Sequence, residues 1–523
     1  MAAKATLEGD NGAEGSGRLL APGARRTRSL ALLAVSAGVF VSALDQTMVV
    51  TVLPPILQDL RVPLTRLDSA SWIITGYLLG YTVAMPLFGR LADVRGRRIM
   101  YMVALVIFTA GSAACAFSSD LPALVAARVF QAAGGGALVP IGMAVAADLF
   151  EPRRRGLALG IIGAAAEAGG VLGPLYGAAL THLGGWKLIF LVNIPLGLAL
   201  ATSAWLTLTG PIGGRRVPQA GHSVDYIGAA LLAATLTSLT VGLGGNSQVG
   251  SAVVKPWWLT AAGVALLVFI LWERQCPSPL ISLSFFRRRA FAAAVLANLA
   301  VGAALIVGMV EIPLYAYSLL GKSEIQGGLL LMRLTVMIPV GALIGGWLAD
   351  RVTYALTATI GFLMTGAAYA LIAHWPAAPG EMLMTRDLVL AGLGFGLVIA
   401  PISAAVIRSV GNRFAATGSA FVTVSRMVGM TVGLSALSSW GLRRFNALIA
   451  TSPLPLRTAE MTDAEYAAQN AAYQDTITSA LRTLYADYFL VAAGIAVLAI
   501  MAAAFLGRSG RQSHTGHPFL PPL

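Results

Sequence analysis

Apolar runs of about twenty residues, each bounded by glycine, proline or charge, recur along this chain from Ser29 to Gly507. A helix needs about 20 such residues to cross the hydrocarbon core of a bilayer. The runs fall at about 30–53, 70–92, 98–118, 121–148, 156–180 and 187–209, then 225–245 and 256–273. Six more follow at about 290–320, 325–349, 354–375, 385–408, 413–441 and 485–507. In lipid every backbone polar group must be paired internally, and helices do this within one segment. The pattern predicts an all-α integral membrane protein of about 14 transmembrane helices, grouped six, two and six.

The turns between the runs carry the charge. Gly89-Arg90-Leu91-Ala92-Asp93-Val94-Arg95-Gly96-Arg97-Arg98 is a charged knot between the second and third runs. It is too polar for hydrocarbon, and short loops rich in arginine stay on the cytoplasmic side. A degenerate echo, Gly346-Trp347-Leu348-Ala349-Asp350-Arg351, puts Asp350 257 positions after Asp93, about half the chain. This offset predicts two pseudo-symmetric six-helix bundles, over 29–210 and 287–507, with two extra helices inserted in a linker at 211–286. Residues 1–28 and 508–523 read as cytoplasmic tails, the first of them disordered, with no removable signal peptide. Arg153-Arg154-Arg155, Arg215-Arg216, Arg287-Arg288-Arg289, Arg408 with Arg413, and Arg508 with Arg511 all fall inside under this topology, and both termini are cytoplasmic. Arg443-Arg444 is the exception, opening a long outer loop at 442–484. Within that loop, Thr462 to Leu484 has helical spacing and no Gly or Pro, so it reads either as a helix lying on the outer surface or as a solvated loop.

Composition excludes several classes. The chain is 57% apolar and 11% charged, against ~25% charged in soluble domains. A net charge of +13 on a soluble protein would point to nucleic acid. Here the arginines sit in loops, where topology and anionic lipid headgroups account for them, and no nucleic-acid partner is expected. Cys115 and Cys276 have no disulfide or metal spacing and read as packing residues. There is no nucleotide-cradling loop, no metal set and no nucleophile with its base, so neither an ATP-driven pump nor an enzyme is expected, and no metal or cofactor.

Ionisable residues inside spans cost several kcal/mol and are functional candidates by default. Asp45 lies near the middle of the first run, as either a proton carrier or a hydrogen-bond acceptor for a neighbouring helix. Its counterpart 257 positions on is Gly302. Arg128 either biases Asp45 by charge or snorkels to the outer interface. Glu167 and Arg426 are 259 positions apart, hence near-equivalent in the two halves. They form either a buried interdomain ion pair that switches as the halves move or two separate local contacts. Glu311 and Arg333 read as interfacial or rim charges, and His182, His222 and His374 as solvated. Val39, Met48, Trp72, Tyr77, Met143 and Met309 imply a largely apolar cavity. The two inserted helices read as peripheral, with no intramembrane acid.

With these residues in view, the chain resembles a major facilitator superfamily transporter, and most of all the fourteen-helix drug:proton antiporter branch. The charged knot matches that family's signature between helices two and three. Leu44-Asp45-Gln46-Thr47 with Leu53-Pro54 resembles its first-helix signature, and Arg128-Val129-Phe130-Gln131-Ala132-Ala133-Gly134 its fourth. Gly169-Gly170-Val171-Leu172-Gly173-Pro174-Leu175-Tyr176-Gly177 resembles the fifth-helix signature of exporters. The resemblance implies a proton-coupled antiporter working by alternating access in a bacterial inner membrane, with Asp45, Arg128 and Glu167 in proton coupling. It implies a conformational latch made of Gly89, Asp93, Arg95, Gly96, Arg97 and Arg98 with Asp350 and Arg351; a turn that only fixes topology is the other reading of that knot. Gly169, Gly170, Gly173, Pro174 and Gly177 would pack helices closely. Drugs are the broader substrate expectation. Lipids of the triacylglycerol type are the alternative, since the Glu167/Arg426 pair and the long outer loop resemble the mycobacterial exporters of that kind. A monomer is implied, with a periplasmic or surface lipoprotein as a conceivable partner.

Overall fold

The computed structural model describes residues 22–62, 70–150, 152–208, 225–243, 256–277, 279–280, 283–410, 415–450 and 461–507. The first half comprises α1 (Pro22–Thr51), the short α2 (Leu53–Asp59), α3 (Trp72–Arg95), α4 (Arg97–Ala116), α5 (Leu121–Leu149), α6 (Pro152–Gly184), α7 (Lys187–Leu191) and α8 (Asn193–Thr207). Two further helices follow, α9 (Tyr226–Leu243) and α10 (Pro256–Gln275), and then a 3-10 turn at Leu283–Arg287. The second half comprises α11 (Arg289–Ser318), α12 (Glu324–Thr335), α13 (Met337–Arg351), α14 (Tyr354–Ala373), α15 (Glu381–Val410), α16 (Ala415–Ile449) and α17 (Asp463–Ala503). Among the described residues, 13 helices are long and apolar enough to cross a membrane, with α7–α8 and α12–α13 each counted as one. The 33-residue α6 has the length of a further span.

Proline sets the breaks. Pro195 and Pro339 have no amide hydrogen for the carbonyl four residues earlier. Those carbonyls belong to Leu191 and Thr335, the last residues of α7 and α12, so each span is cut there into two pieces.

Packing repeats between the halves. In the first, α1 packs most heavily on α6, and α3 and α4 on α5; in the second, α11 packs on α16, and α13 and α14 on α15. Without water between apolar faces, association in lipid depends on close van der Waals contact, which small residues permit. Gly169, Gly173 and Gly177, one turn apart on α6, meet α1 so closely that an added methyl would run into the Phe40 carbonyl, the Thr47 hydroxyl and the Met48 carbonyl. Gly302 and Gly429 do the same between α11 and α16, against the carbonyls of Arg426 and Leu299. Gly170 differs: its α-carbon faces open space. Its carbonyl accepts from Thr47 Oγ1 at 3.1 Å, as the Pro174 carbonyl does from Thr51 Oγ1 at 2.8 Å.

The halves meet along two seams, α6 against α12 and α3 against α16. The inserted α9 lies over the second seam, where Leu232 and Leu236 pack with Leu79 and Val83 of α3 and Val428 of α16. Outside it, α10 leaves Trp257, Val264, Leu267 and Leu271 exposed, the surface of a helix that faces lipid.

Two sequence expectations need correction here. The inserted pair does carry buried acids: Asp225 and Glu273 are 5% and 4% exposed. They sit at the helix ends, where an acid has polar work: Asp225 Oδ1 accepts from the first turn of α9 (Gly228 N, 2.7 Å) and from Trp272 Nε1 of α10 (2.9 Å). The segment before the last span is neither a surface-lying helix nor a solvated loop. Thr462 caps α17 with a reciprocal Thr462/Glu465 capping box, and the helix runs unbroken for 41 residues into the membrane span. Residues 1–21 and 508–523 lie outside the described residues.

Overpacking a filled helix contact costs about 1–3 kcal/mol. Gly173→Leu should therefore lower the thermal unfolding temperature of the purified protein clearly, whereas Gly170→Ala should leave it nearly unchanged. Equal shifts for the two would contradict the α1–α6 packing.

Candidate functional site

Asp45 of α1 lies wholly buried inside the first half, surrounded by donors from two other helices. Its Oδ2 accepts from Arg128 Nη1 of α5 at 2.8 Å. Its Oδ1 accepts from Gln131 Nε2 at 2.8 Å and from Asn193 Nδ2 of α8 at 2.7 Å. Arg128 Nη1 also donates to Gln131 Oε1 at 2.7 Å, and Gln131 Nε2 to Ser112 Oγ of α4 at 2.6 Å. The guanidinium lies over the Tyr77 ring at 3.9 Å and the Phe190 ring at 5.6 Å.

Arg128 is itself wholly buried, so it does not snorkel to an interface. A buried charge needs a counter-charge and filled hydrogen-bonding capacity. Asp45 supplies the counter-charge, and Asp45 Oδ2 and Gln131 Oε1 accept from Arg128 Nη1, while Arg128 Nε is left without an acceptor. Spacing explains the cluster: Arg128 and Gln131 are three residues apart and share one face of α5, toward α1 and α4. Gln131 stood inside a quoted motif but was not singled out. Asn193 was missed; an amide in an apolar run two residues before Pro195 was its only signal. Cys115, read as packing, is buried but touches the network, its Sγ 3.6 Å from Gln131 Oε1.

Across the α6/α12 and α3/α16 seams the halves are joined by few polar contacts. Arg426 Nη2 donates to Glu167 Oε1 at 3.0 Å. The expectation that both are buried is corrected: the side chains are 16% and 40% exposed. Glu167 opens onto the gap between the halves, so solvent screens the pair and its own stabilisation is small. Gln46 Nε2 reaches Met427 Sδ at 3.1 Å, Thr335 Oγ1 donates to the Val171 carbonyl at 3.4 Å, and Gln58 bonds Tyr317. These lie at mid-depth or toward the face opposite the arginine-rich turns.

At the arginine-rich turn Gly96 takes φ +98°, which a side chain would oppose, and so joins α3 to α4 without a loop. Arg97 pairs with Asp148 and donates to the Ala144 carbonyl, both of α5. Arg98 stacks on Trp205 of α8 at 4.3 Å and donates to its carbonyl at 3.0 Å. Arg95 Nη2 donates to Tyr226 Oη of α9 at 3.3 Å. In the second half Arg351 stacks on Trp347 of its own helix at 3.8 Å. The side chains of Asp93 and Asp350 lie outside the described residues.

Other expectations shift with packing. Val39, Met48 and Tyr77 are wholly buried and Met309 is 5% exposed, so they fill helix interfaces and do not line a cavity; Trp72 and Met143 are half-buried. Arg333 is a rim charge, paired with Glu381 at 2.7 Å and bonded to Thr385 Oγ1 at 2.7 Å. Glu311 is not, being buried on α11 at 9% exposure, where α11 packs against α17. His182 is exposed, His374 is half-buried with Nδ1 2.7 Å from the Ala370 carbonyl, and His222 lies outside the described residues.

Two repeated six-helix bundles around a sparsely bonded seam define a membrane transporter. Residues 35–434 match the Major Facilitator Superfamily, and the chain belongs to it. It is 37% identical over 515 residues to a triacylglyceride transporter of Mycolicibacterium smegmatis, covering 94% of this chain and 89% of the relative. It is 41% identical over 449 residues to a triacylglyceride transporter of Mycobacteroides abscessus, covering 82% and 86%. A bacterial homologue of the human lysosomal transporter Spinster, inward-facing and unoccupied, superposes with a TM-score of 0.61 at 17% identity over 91% of this chain and 97% of that one, a likeness of fold.

Removing one partner of a buried pair costs about 3–5 kcal/mol. Arg128→Leu should lower folded yield and unfolding temperature sharply, and adding Asp45→Leu should restore part of the loss. A double variant as unstable as the sum of the single ones would show that the two side chains are not coupled.

Proposed function

We propose that this protein is a proton-coupled exporter of neutral, largely apolar lipids of the acylglycerol class, working by alternating access in a bacterial inner membrane with its arginine-rich face and both termini in the cytoplasm. The observation that carries the substrate class is identity of 36–41% along most of the chain to several proteins named triacylglyceride transporters. Lipid is favoured over the drug reading, which rests only on the broader branch of the family.

The geometry supports a working cycle. Cross-half hydrogen bonds cluster at mid-depth and toward the outer face, while Arg95, Arg97 and Arg98 bond helices of the first half and the inserted α9. This pattern fits a state open toward the cytoplasm. In the outward-open state the arginine-rich ends of the halves would close, with Gly89 and the Asp93 turn meeting the Asp350 turn. Glu167–Arg426 sits where the halves separate, so water entering from either side can part the two charges and let Glu167 take a proton. Asp45, held by Arg128, Gln131 and Asn193, would bind a proton only when that network loosens, which couples protonation to movement of α1 against α5. The Gly169, Gly173 and Gly177 contact with α1 would transmit the movement to α6, the helix that carries Glu167.

Two measurements test this reading. Cells lacking the gene should accumulate acylglycerols in the inner membrane, and the wild-type gene should reverse it; an unchanged lipid profile would defeat the substrate assignment. In vesicles, Asp45→Asn should abolish transport driven by a pH gradient. Glu167→Arg and Arg426→Glu should each do so as well, with the double charge swap recovering part of the activity. Single reversals that transport normally would remove the pair from the cycle.

A further inference from the structure

Several buried acids stand outside the proposed cycle, and Glu311 is the one on the first helix of a half. Glu311 lies in α11, whose packing in the second half corresponds to that of α1 in the first. Stepping back 259 positions, the separation of Glu167 and Arg426, places Val52 at its counterpart and Pro54 opposite Pro313; the same step forward from Asp45 reaches Ala304. Each half therefore buries an acid on its first helix, at a different depth and in a different setting. Asp45 meets an arginine and two amides. Among the described residues no cation or hydrogen-bond donor meets Glu311.

The groups that face Glu311 are phenols. Tyr485 and Tyr488 of α17 are within its electrostatic reach. Tyr315, one turn along α11, stacks edge-on against Tyr485 at 5.5 Å, and Tyr488 packs on Trp440 of α16 at 5.8 Å. Of the charged residues on the other elements packed against α11, Arg333 pairs with Glu381, Arg386 with Asp387, Arg426 with Glu167, Arg444 with Asp487 and Asp45 with Arg128, while Arg482 of α17 comes within electrostatic reach of Tyr315 but, among the described residues, makes no ion pair with Glu311. A carboxylate buried without a counter-charge neutralises itself by taking a proton. Tyr485 Oη lies 3.0 Å from Ser318 Oγ, and Ser318 is exposed at the end of α11 toward the outer face. The arrangement is a buried acid, a phenol and an exposed hydroxyl in order along the second half.

We propose that Glu311 is a second proton-binding site, held as the neutral acid while the second half is closed around it and exchanging its proton with water at the outer face by way of Tyr485 and Ser318. The proton adds to a Glu311 carboxylate oxygen from water and returns to water as hydronium; nothing else is consumed. The site rests on the proton-coupled reading for its use in transport, but its protonation does not.

Infrared difference spectroscopy of the purified full chain in lipid vesicles, taken through a pH jump from mildly acid to alkaline, reads it directly. The wild type should show the carbonyl band of a protonated carboxyl group that titrates away as pH rises. Glu311→Gln should lose that band, Glu311→Asp should keep a shifted one should the glutamine variant fail to fold, and Tyr485→Phe should keep the band while slowing its exchange. Asp45→Asn should retain it. Spectra of Glu311→Gln identical to the wild type at every pH would overturn the proposal, even if transport still depends on Asp45. Loss of pH-driven transport from the wild type with the Glu311 band intact would instead overturn the proposed coupling and leave the site standing.

Discussion

Hydrocarbon offers no hydrogen bonds, and that constraint organises this molecule. Every polar group placed in a span must find its partner within the protein. The first half meets much of this demand at one point, where Asp45, Arg128, Gln131, Asn193 and Ser112, from four different spans, hydrogen-bond one another. A network of that kind fixes the relative placement of α1, α4, α5 and α8 as no apolar contact can, because shifting one helix leaves several groups unpaired at once. The same sensitivity is what the proposed proton role of Asp45 draws on, since adding a proton there changes what every neighbour must do.

Rigid halves and a loose seam follow from the same chemistry. Inside each half, glycines bring backbones into direct contact, α6 against α1 and α16 against α11, with no room for a methyl. Among the described residues isolated polar contacts cross between the halves, and the ion pair among them is partly exposed. Strong cohesion within a bundle and weak cohesion between bundles is what rocking motion needs. The inserted α9 closes the α3/α16 seam from outside, and among the described residues no inserted helix lies over the α6/α12 seam.

Much of this was legible along the chain. The all-α membrane class followed from apolar length and from charge that hydrocarbon cannot hold, and against about 14 expected spans 13 helices among the described residues are long and apolar enough to cross. The nearness of Glu167 to Arg426 followed from repeat arithmetic. What depended on packing was not legible. Side-chain direction decided that Arg128 turns inward to Asp45, that Glu167 meets solvent, and that Val39, Met48 and Tyr77 fill interfaces; depth counted along a span carries no information on direction. Asn193 had no charge to announce it. Glu311 was misplaced because distance from a helix end stood in for burial, and the 41-residue α17 covers a position that a shorter last helix would leave at the rim.

The two halves share a fold but have divided its labour. The contact pattern is common to both, yet the polar cluster around Asp45 has Ala304 at the matching place, and the buried Glu311 has Val52. A symmetric pair of acids at equal depth would repel across the seam and titrate together. Placing one acid against an arginine at mid-depth and another among phenols nearer the outer face separates their conditions for protonation. In the proposed cycle it also ties each to a different opening, the Asp45 network to movement of α1 against α5 and the Glu311 pocket to movement of α17 against α11. Asymmetry laid over a repeated scaffold thus gives a two-fold design a direction, which a transporter that moves cargo one way requires.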